Sequence, residues 1–370
     1  MDFDFTEDQQ HLREAVRRWV ERSYGFERRR AAVRSGGFDR AAYGELAGLG
    51  LAGLYVPEAH DGMGMGPVEG MVAMEELGRG LVLEPLAQAL VTSATLAAHA
   101  PQALQSAWLP RIASGDALVV LAHQERGARW RLDRCETRAT TADGGWRIDG
   151  TKSIVPAGDQ ADALLVPAVA DGVLALFLVE RGPDVSAQGY TTLDGSRAAE
   201  VRLDGAAATP AAPNGLAALE FAVDIGIASL CAEAVGVIDR TMELTVEYMN
   251  TRKQFGVPIA SFQALRHRVA DMKMQQELAR SMSYYASLKL NAPPDERRRA
   301  MARAKYQLGV AMRFIGQNSV QLHGGIAVTD EYVGSHYFKR LTQMELTYGD
   351  TLHHLGEVSA RMQETAGVFA

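Results

Sequence analysis

The sequence predicts an α+β fold in which two helical regions flank a central β-domain. Apolar residues recur at helical spacing up to residue 115, and short apolar runs separated by Asp-Gly turns follow. A long helical pattern then resumes after Pro213. Because such changes of period are typical of separate structural layers, we expect domains at 1–115, 116–210 and 211–370.

The amino-terminal region begins with a helix-start pattern. Thr6 stands three residues before Gln9, the spacing of a capping box in which each side chain satisfies the other residue's backbone N–H. Further helical stretches are predicted at 40–48, 67–77 and 104–112, and an apolar stretch at 81–96 is interrupted by Pro85. Glycines and a proline interrupt the periodicity at 55–66, which predicts a loop there.

The central region has the pattern of a compact β-domain. Short apolar or alternating runs predict strands at 118–122, 146–148, 163–166, 173–179 and 198–203. Hairpin-type turns are predicted at Asp143-Gly144-Gly145, Asp149-Gly150, Asp171-Gly172 and Asp194-Gly195.

The carboxy-terminal region predicts three long helices. Apolar residues advance in steps of three and four from Leu216 to Tyr248, which predicts a helix roughly 50 Å long. Two more helices are predicted at 265–282 and 296–320, separated by Pro293-Pro294.

Composition and charge narrow the possible functions. The chain has 370 residues, 47% hydrophobic and 22% charged, which is ordinary for a globular protein with a large core. A net charge of −7 disfavours a nucleic-acid partner, because phosphates require a basic face. A small anionic ligand needs only a local cluster of donors.

The cysteine content and the amino terminus predict a cytoplasmic protein. Cys135 and Cys231 are too few for a disulfide framework or a cysteine metal site. The first five residues, Met1 to Phe5, are acidic where a signal peptide would be basic, and no uncharged run reaches membrane-spanning length.

Five motifs in order resemble the acyl-CoA dehydrogenases over essentially the whole chain. They are Pro57-Glu58 with Gly62, Gly64 and Gly66; Glu75-Glu76-Leu77-Gly78; Gly150-Thr151-Lys152; Thr251-Arg252-Lys253-Gln254-Phe255-Gly256; and Gln321-Leu322-His323-Gly324-Gly325. The resemblance implies an amino-terminal helical bundle, a central β-domain and a carboxy-terminal four-helix bundle.

The resemblance also implies a reaction and a cofactor. Members of the family bind FAD and introduce a double bond between the α and β carbons of an acyl-CoA thioester. A base removes the α proton while a hydride leaves for the flavin. An electron acceptor such as an electron-transfer flavoprotein, and lipid or acyl-CoA catabolism, are implied as well.

Carried over position by position, the resemblance implies a set of FAD contacts. Arg252 matches an arginine that reaches the FAD pyrophosphate of a neighbouring subunit, and Phe255 matches an aromatic that packs on the same cofactor. Gln263, Gln321, Gly324 and Gly325 match contacts to its adenosine half. The alternative for Arg252 is a cation that interacts with the last carbonyls of a helix.

The β-domain departs from the family pattern where the flavin would lie. Glu125-Arg126-Gly127 matches a Glu-Pro-Gly loop, but Gln124 stands where the family has a threonine that reaches the flavin. Ile154 and Pro156 replace a tryptophan and a threonine. We expect Gln124 either to substitute as the donor or to leave this contact unmade.

Both positions that carry the base in the family lack a carboxylate. Tyr348 occupies the first, and a phenol with a pKa of about 10 is a poor base at neutral pH. Gly226 occupies the second. Either a homologous subunit of a heterotetramer supplies the base, or Asp350 does so in a self-sufficient homo-oligomer. Asp350 could also be a helix N-cap.

Two further classes of function remain open from the sequence: a structural partner subunit without chemistry, and a flavin enzyme that acts on an acyl group bound to a carrier protein.

An arginine-rich loop, with Arg126, Arg129, Arg131 and Arg134 beside Trp130, is either solvated or a site for CoA phosphates or an acidic partner. His353-His354 is better explained by helix capping than by a metal. Glu345 and Glu357 have the pattern of solvent-facing charges.

Overall fold

The computed structural model describes residues 4–142 and 144–365. Residues 1–3, 366–370 and Asp143, one residue of a predicted turn, therefore lie outside the described residues. The chain folds as two compact units, which we name the helical unit and the β-unit. Of the described residues, the helical unit comprises 4–29, Met71–Val82 and 227–365, and the β-unit comprises Arg30–Gly70 and Leu83–Gly226 without Asp143.

Helices occupy both ends of the sequence, as predicted. They are α1 (Glu7–Ser23), α2 (Phe26–Arg34), α3 (Arg40–Gly48), α4 (Pro67–Arg79), α5 (Leu86–His99), α6 (Gln102–Ala113), α7 (Gly215–Thr251), α8 (Gln263–Lys289), α9 (Pro294–His323), α10 (Val333–Leu346) and α11 (Thr351–Thr365). Short 3-10 helices are Leu51–Gly53, Glu58–His60, Ile259–Ser261 and Gly324–Val328. The capping box is present: Gln9 N donates to Thr6 Oγ1 and Thr6 N to Gln9 Oε1.

The strands lie in the middle of the chain and in a short hairpin after α7. They are β1 (Val119–Leu121), β2 (Arg138–Ala142), β3 (Gly145–Pro156), β4 (Ala163–Ala170), β5 (Val173–Glu180), β6 (Val185–Thr191), β7 (Arg197–Ala212), β8 (Lys253–Gln254) and β9 (Val257–Pro258). Strands β4, β2, β3, β7 and β5 pair in a closed ring, β1 joins β4 in parallel, and β6 joins β7. A closed ring leaves few free edges.

The β-unit has its own apolar core inside this sheet. Alternate strand residues such as Val120, Ile148, Val166, Phe177 and Val201 are at most 1% exposed and form one cluster. This period-two burial is the reason that the central apolar runs predicted strands.

In the helical unit α9 packs against α8, α10 and α11. A buried hydrogen bond of 3.1 Å joins the hydroxyls of Thr245 on α7 and Ser319 on α9. Among the described helices, α7 is the one long and apolar enough to cross a membrane, yet 94% of its most apolar 18-residue window is buried within the protein. We therefore describe α7 as a core helix.

Candidate cofactor site

A tight hairpin follows the end of α7. Strands β8 and β9 pair through Gln254 and Val257, and Phe255 and Gly256 form the loop with φ angles of 52° and 81°. Two successive positive φ angles are typical of a type I′ turn, which favours Asn-Gly. A phenylalanine with positive φ is an outlier, so the backbone is strained at Phe255.

The hairpin exposes two of the side chains that were predicted to contact the cofactor. Phe255 is 92% exposed, and its ring meets that of Phe262 edge-to-face at 6.1 Å. Arg252 is also exposed, and in the described part of the chain no hydrogen bond or ion pair uses its guanidinium. Among the described residues, the guanidinium therefore makes no hydrogen bond to the last carbonyls of α7.

The Gly-Gly turn lies at the carboxy terminus of α9. Gly324 has a φ of 66°, which favours glycine, and both Gly324 and Gly325 are exposed. A Cβ built at Gly325 would meet no heavy atom within 4 Å. Since the fold leaves room for a side chain at this position, packing does not explain the second glycine.

An aromatic stack connects the ends of α7 and α9. The His323 ring lies between Tyr248 and Tyr332, with centroid distances of 4.6 and 5.2 Å. Its Nδ1 lies 2.8 Å from Ser319 O, and burial lowers the pKa of His323, which favours a neutral ring. Tyr248 precedes Arg252 by four residues, so the stack brings the start of the β8–β9 hairpin close to the Gly-Gly turn.

The remaining predicted cofactor residues of the helical unit are exposed near these elements. Gln263 is the first residue of α8, and Gln321 lies on the last turn of α9. The two helices are joined beside them by Arg268, which donates to Asn318 Oδ1 at 2.7 Å. An exposed guanidinium, two amides, an aromatic ring and an open glycine backbone together suit a dinucleotide with a pyrophosphate.

The turn between α10 and α11 holds the first family base position. Tyr348 and Gly349 have φ angles of 58° and 107°. Asp350 accepts a hydrogen bond of 2.7 Å from His353 N, so its carboxylate caps the amino terminus of α11. The second base position, Gly226, is buried within α7.

The expectation that Glu345 is a solvent-facing charge is wrong. Glu345 is 5% exposed rather than solvent-facing, and its Oε1 accepts hydrogen bonds from Thr351 N at 3.0 Å and Thr351 Oγ1 at 2.5 Å. His354 is buried as well, with Nε2 3.0 Å from Tyr348 O. Within the described residues no group of His, Cys, Asp and Glu could hold a metal.

In the β-unit a buried ion pair anchors the loop that follows β1. Lys152 Nζ donates to Glu125 Oε1 at 2.6 Å, and both side chains are buried. Burial would raise the pKa of Glu125, but the charge and hydrogen bond of Lys152 outweigh it, and the pKa is lowered to about 2. The same carboxylate accepts from Glu136 N and Thr137 N, so it closes both ends of the loop.

The segment of β3 after Lys152 offers few groups to a flavin. Ile154 has a φ of 52° and is 49% exposed, and its N–H donates to Glu200 Oε1 at 3.3 Å. Pro156 has neither a backbone N–H nor a hydroxyl. Gln124 is half-buried, and its carbonyl accepts from Ser153 N at 2.8 Å.

The arginines of the loop are partly neutralised by neighbours. Arg131 pairs with Asp133 at 2.5 Å, and Arg126 lies 3.4 Å from Glu200. The Arg129 guanidinium lies 5.2 Å from the Trp130 ring centroid. These contacts fit the interpretation as a solvated loop.

Comparison with known proteins gives consistent matches over most of the chain. The models for the acyl-CoA dehydrogenase N-terminal and C-terminal domains match residues 6–116 and 214–363. Acyl-CoA dehydrogenase IpdE2 of Mycobacterium tuberculosis is 33% identical over 341 residues, covering 90% of this chain and 91% of that protein.

Two solved structures superpose closely. One is described as a variant of the Tcur3481-Tcur3483 steroid ACAD, with a TM-score of 0.90, 30% identity, and coverage of 97% of this chain and 99% of that chain. The other is the ChsE4-ChsE5 complex from Mycobacterium tuberculosis, with a TM-score of 0.89, 28% identity, and coverage of 99% and 100%.

Proposed function

The chain belongs to the acyl-CoA dehydrogenase family, and from this premise we propose that it is one subunit of a heteromeric FAD-dependent enzyme whose partner supplies the catalytic base. The substrate class is an acyl-CoA thioester, desaturated between its α and β carbons. The relatives support this assembly, because two similar structures are named as pairs of different subunits.

The observation that carries the proposal is the hairpin after α7. The chain holds Phe255 in a strained left-handed conformation and leaves 92% of it exposed. A strained backbone that projects a large aromatic ring outward, beside an exposed arginine, fits an element that is completed by another molecule. A cofactor bound by a neighbouring subunit would cover both side chains.

The residues of the helical unit fit the role of holding FAD. Arg252 would bind the pyrophosphate, Phe255 would pack on the cofactor, and Gln263 and Gln321 would donate to its adenosine half. Gly324 and Gly325 would let the backbone approach closely, because no Cβ stands in the way. The flavin supplies the acceptor for the hydride that leaves the substrate.

The α10–α11 turn supports a base from the partner. Tyr348 is a phenol, and Asp350 is held as the cap of α11 by His353 N at 2.7 Å. For Asp350, two residues beyond Tyr348, to act as the base, the backbone of the turn would have to shift. Small displacements of a catalytic group reduce rates strongly, which favours a base supplied by the other subunit.

The β-domain of this chain supports the same asymmetry. At the positions that meet the flavin in the family, Pro156 has no donor, and the N–H of Ile154 is used by Glu200. We propose that Gln124 makes the one remaining side-chain contact. The chain would thus complete the cofactor site of its partner better than its own.

The proposal has three further parts: the domain bounds, the electron acceptor and the location. The domains are 1–115, 116–210 and 211–370, electrons pass to an acceptor such as an electron-transfer flavoprotein, and the enzyme acts in the cytoplasm. The two free cysteines, Cys135 and Cys231, are consistent with a reducing compartment.

The test compares Gly325→Ala and Arg252→Ala in the complex assembled with the partner subunit. Gly325→Ala leaves unfolding of the chain unchanged, because the site is open, but lowers FAD affinity about tenfold by blocking close approach. Gly25→Ala is the matched control, since Gly25 is also open and lies outside the proposed site. Unchanged FAD content in both Arg252→Ala and Gly325→Ala would contradict the cofactor assignment.

A further inference from the structure

A buried lysine, Lys305, lies at the centre of the helical unit and has no part in the proposed cofactor contacts. It is 0% exposed, on the middle of α9. Its Nζ donates to Glu345 O at 2.9 Å and to Gly349 O at 2.8 Å. The first carbonyl belongs to the last turn of α10, and the second lies two residues before α11 begins.

These two carbonyls bracket a strained turn. Tyr348 has a φ of 58° and Gly349 one of 107°, and left-handed conformations of non-glycine residues persist only where surrounding contacts determine them. A Cβ at Gly349 would lie 2.5 Å from His353 Cδ2, so the turn also packs tightly against α11. Lys305 donates a hydrogen bond to each of these two carbonyls. It lies on α9, not on the two helices that the turn connects.

The Lys305 amino group donates to two backbone carbonyls, and the titratable side chains near it lie on α7, on α10 and in the turn. Burial lowers the pKa of Lys305 to about 8, while the carboxylates of Glu345 on α10 and Asp350 in the turn favour its charged form. Burial also raises the pKa of Cys231 to about 12, which keeps that thiol neutral. A lysine amine has at least two N–H groups in either protonation state, enough for both carbonyls.

We propose that Lys305 is a positioning residue: its buried amino group fixes the Tyr348–Asp350 turn in one conformation and thereby holds Asp350 at the cap of α11. The two hydrogen bonds of Lys305 support its structural role by themselves. Only its meaning for catalysis rests on the proposed function.

The direct test is amide hydrogen exchange of the full chain with Lys305→Met, which keeps the length of the side chain but removes the donors. Lys273→Met, at an exposed lysine of α8, is the control. We expect at least tenfold faster exchange in 347–354, with α7 segments and the control unchanged. Exchange equal to wild type at 347–354, or equal acceleration in every segment, would overturn the inference.

A second measurement uses the wild-type chain, in case Lys305→Met does not fold. An amine-acylating reagent is applied in increasing sub-denaturing urea, and labelling of each lysine is read by mass spectrometry. Lys152, the buried lysine of the β-unit, is the internal comparison. Labelling of Lys305 that rises together with exchange at 347–354 supports the inference, and opening of the turn with Lys305 still protected contradicts it.

Turnover of the complex separates this inference from the proposed function. With the base on the partner, Lys305→Met keeps kcat per bound FAD within about twofold even though the turn exchanges faster. If exchange accelerates and kcat falls at least tenfold with KM unchanged, the positioning role stands. In that case the turn of this chain is catalytic, and the heteromeric proposal is wrong.

Discussion

Gly236 of α7 lies directly against the backbone carbonyl of Glu75 on α4: a Cβ at position 236 would be 1.8 Å from Glu75 O. The relationship is reciprocal, because a Cβ at Gly78 on α4 would be 2.1 Å from Glu233 O on α7. These two glycines allow the helix backbones to approach closely. They account for the glycine of the Glu-Glu-Leu-Gly motif by packing, without a ligand.

Gly236→Ala should therefore destabilise the chain by overpacking, by about 1–3 kcal/mol or more. Gly44→Ala on α3 is the control, since a Cβ there meets nothing within 4 Å. Alanine should stabilise that helix by up to about 1 kcal/mol. Urea unfolding of both variants measures the difference, and an unchanged midpoint for Gly236→Ala would show that the crossing relaxes freely.

Lys152→Met should break the buried pair with Glu125 and cost about 3–5 kcal/mol at pH 7, because an unpaired buried carboxylate remains. The pKa of Glu125 is lowered from 4.5 to about 2 in the folded chain. Its stabilisation is therefore present above pH 4.5 and is lost as pH falls toward 2. Unfolding free energies at pH 7 and pH 4 should show the gap between variant and wild type narrowing.

A wild-type-like acid profile in Lys152→Met would contradict this account of the ion pair. The double variant Glu125→Gln/Lys152→Met is the matched control. It should be less destabilised than Lys152→Met alone, because it leaves no buried charge without a partner.

Asp350 allows a test that separates capping from catalysis. Asp350→Ala removes the cap of α11 and should cost about 1 kcal/mol, whereas Asp350→Asn keeps a capping oxygen and should be nearly neutral. In the assembled complex, Asp350→Asn should keep turnover within about twofold. A loss of 100-fold or more with unchanged unfolding would identify Asp350 as the base.

Phe255→Asn should change stability and function in opposite directions. Asparagine suits the first position of a type I′ turn, so the variant should stabilise the chain alone by about 0.5–1 kcal/mol. It also removes the ring proposed to pack on FAD, so the complex should bind FAD less tightly. Thermal unfolding of the chain and FAD content of the complex measure the two effects. Lower stability without a change in FAD content would refute both parts.

Local signals in the sequence predicted many of the elements. The capping box at Thr6, a strand at each of the five predicted runs and the three long helices after Pro213 are confirmed. Strands β2 and β6 were not predicted, and Asp149-Gly150 lies within β3 rather than in a hairpin turn. Helix α2 was missed because its sequence, FERRRAAVR, is dominated by charged residues and has little apolar periodicity. The closed ring of strands also could not be predicted, since pairing of β4 with β2 and β5 with β7 joins runs distant in sequence.

The least predictable residues were the buried charges. Lys305 lies on the stripe of Met301, Leu308 and Met312, all at most 1% exposed, and this spacing of three and four is a signal that could have identified it. Glu345 similarly follows Leu341 by four residues on the buried face of α10. A charged residue on an apolar stripe is better interpreted as a buried structural group than as a solvent-facing charge.

The roles of the cofactor residues came from resemblance, and the structure adds their setting. That Phe255 would be strained and exposed, and that Gly325 would be open, depends on backbone angles and tertiary packing that no motif encodes. The assignments of Arg252, Gln263 and Gln321 to FAD remain predictions until the variants are measured.

The most direct measurement is the FAD content and acyl-CoA oxidation of the purified chain, alone and co-expressed with a homologous subunit encoded beside it. We predict a colourless, inactive chain alone and a yellow complex that oxidises acyl-CoA. Yellow protein and acyl-CoA oxidation from the chain alone would contradict the claim that another subunit supplies the base.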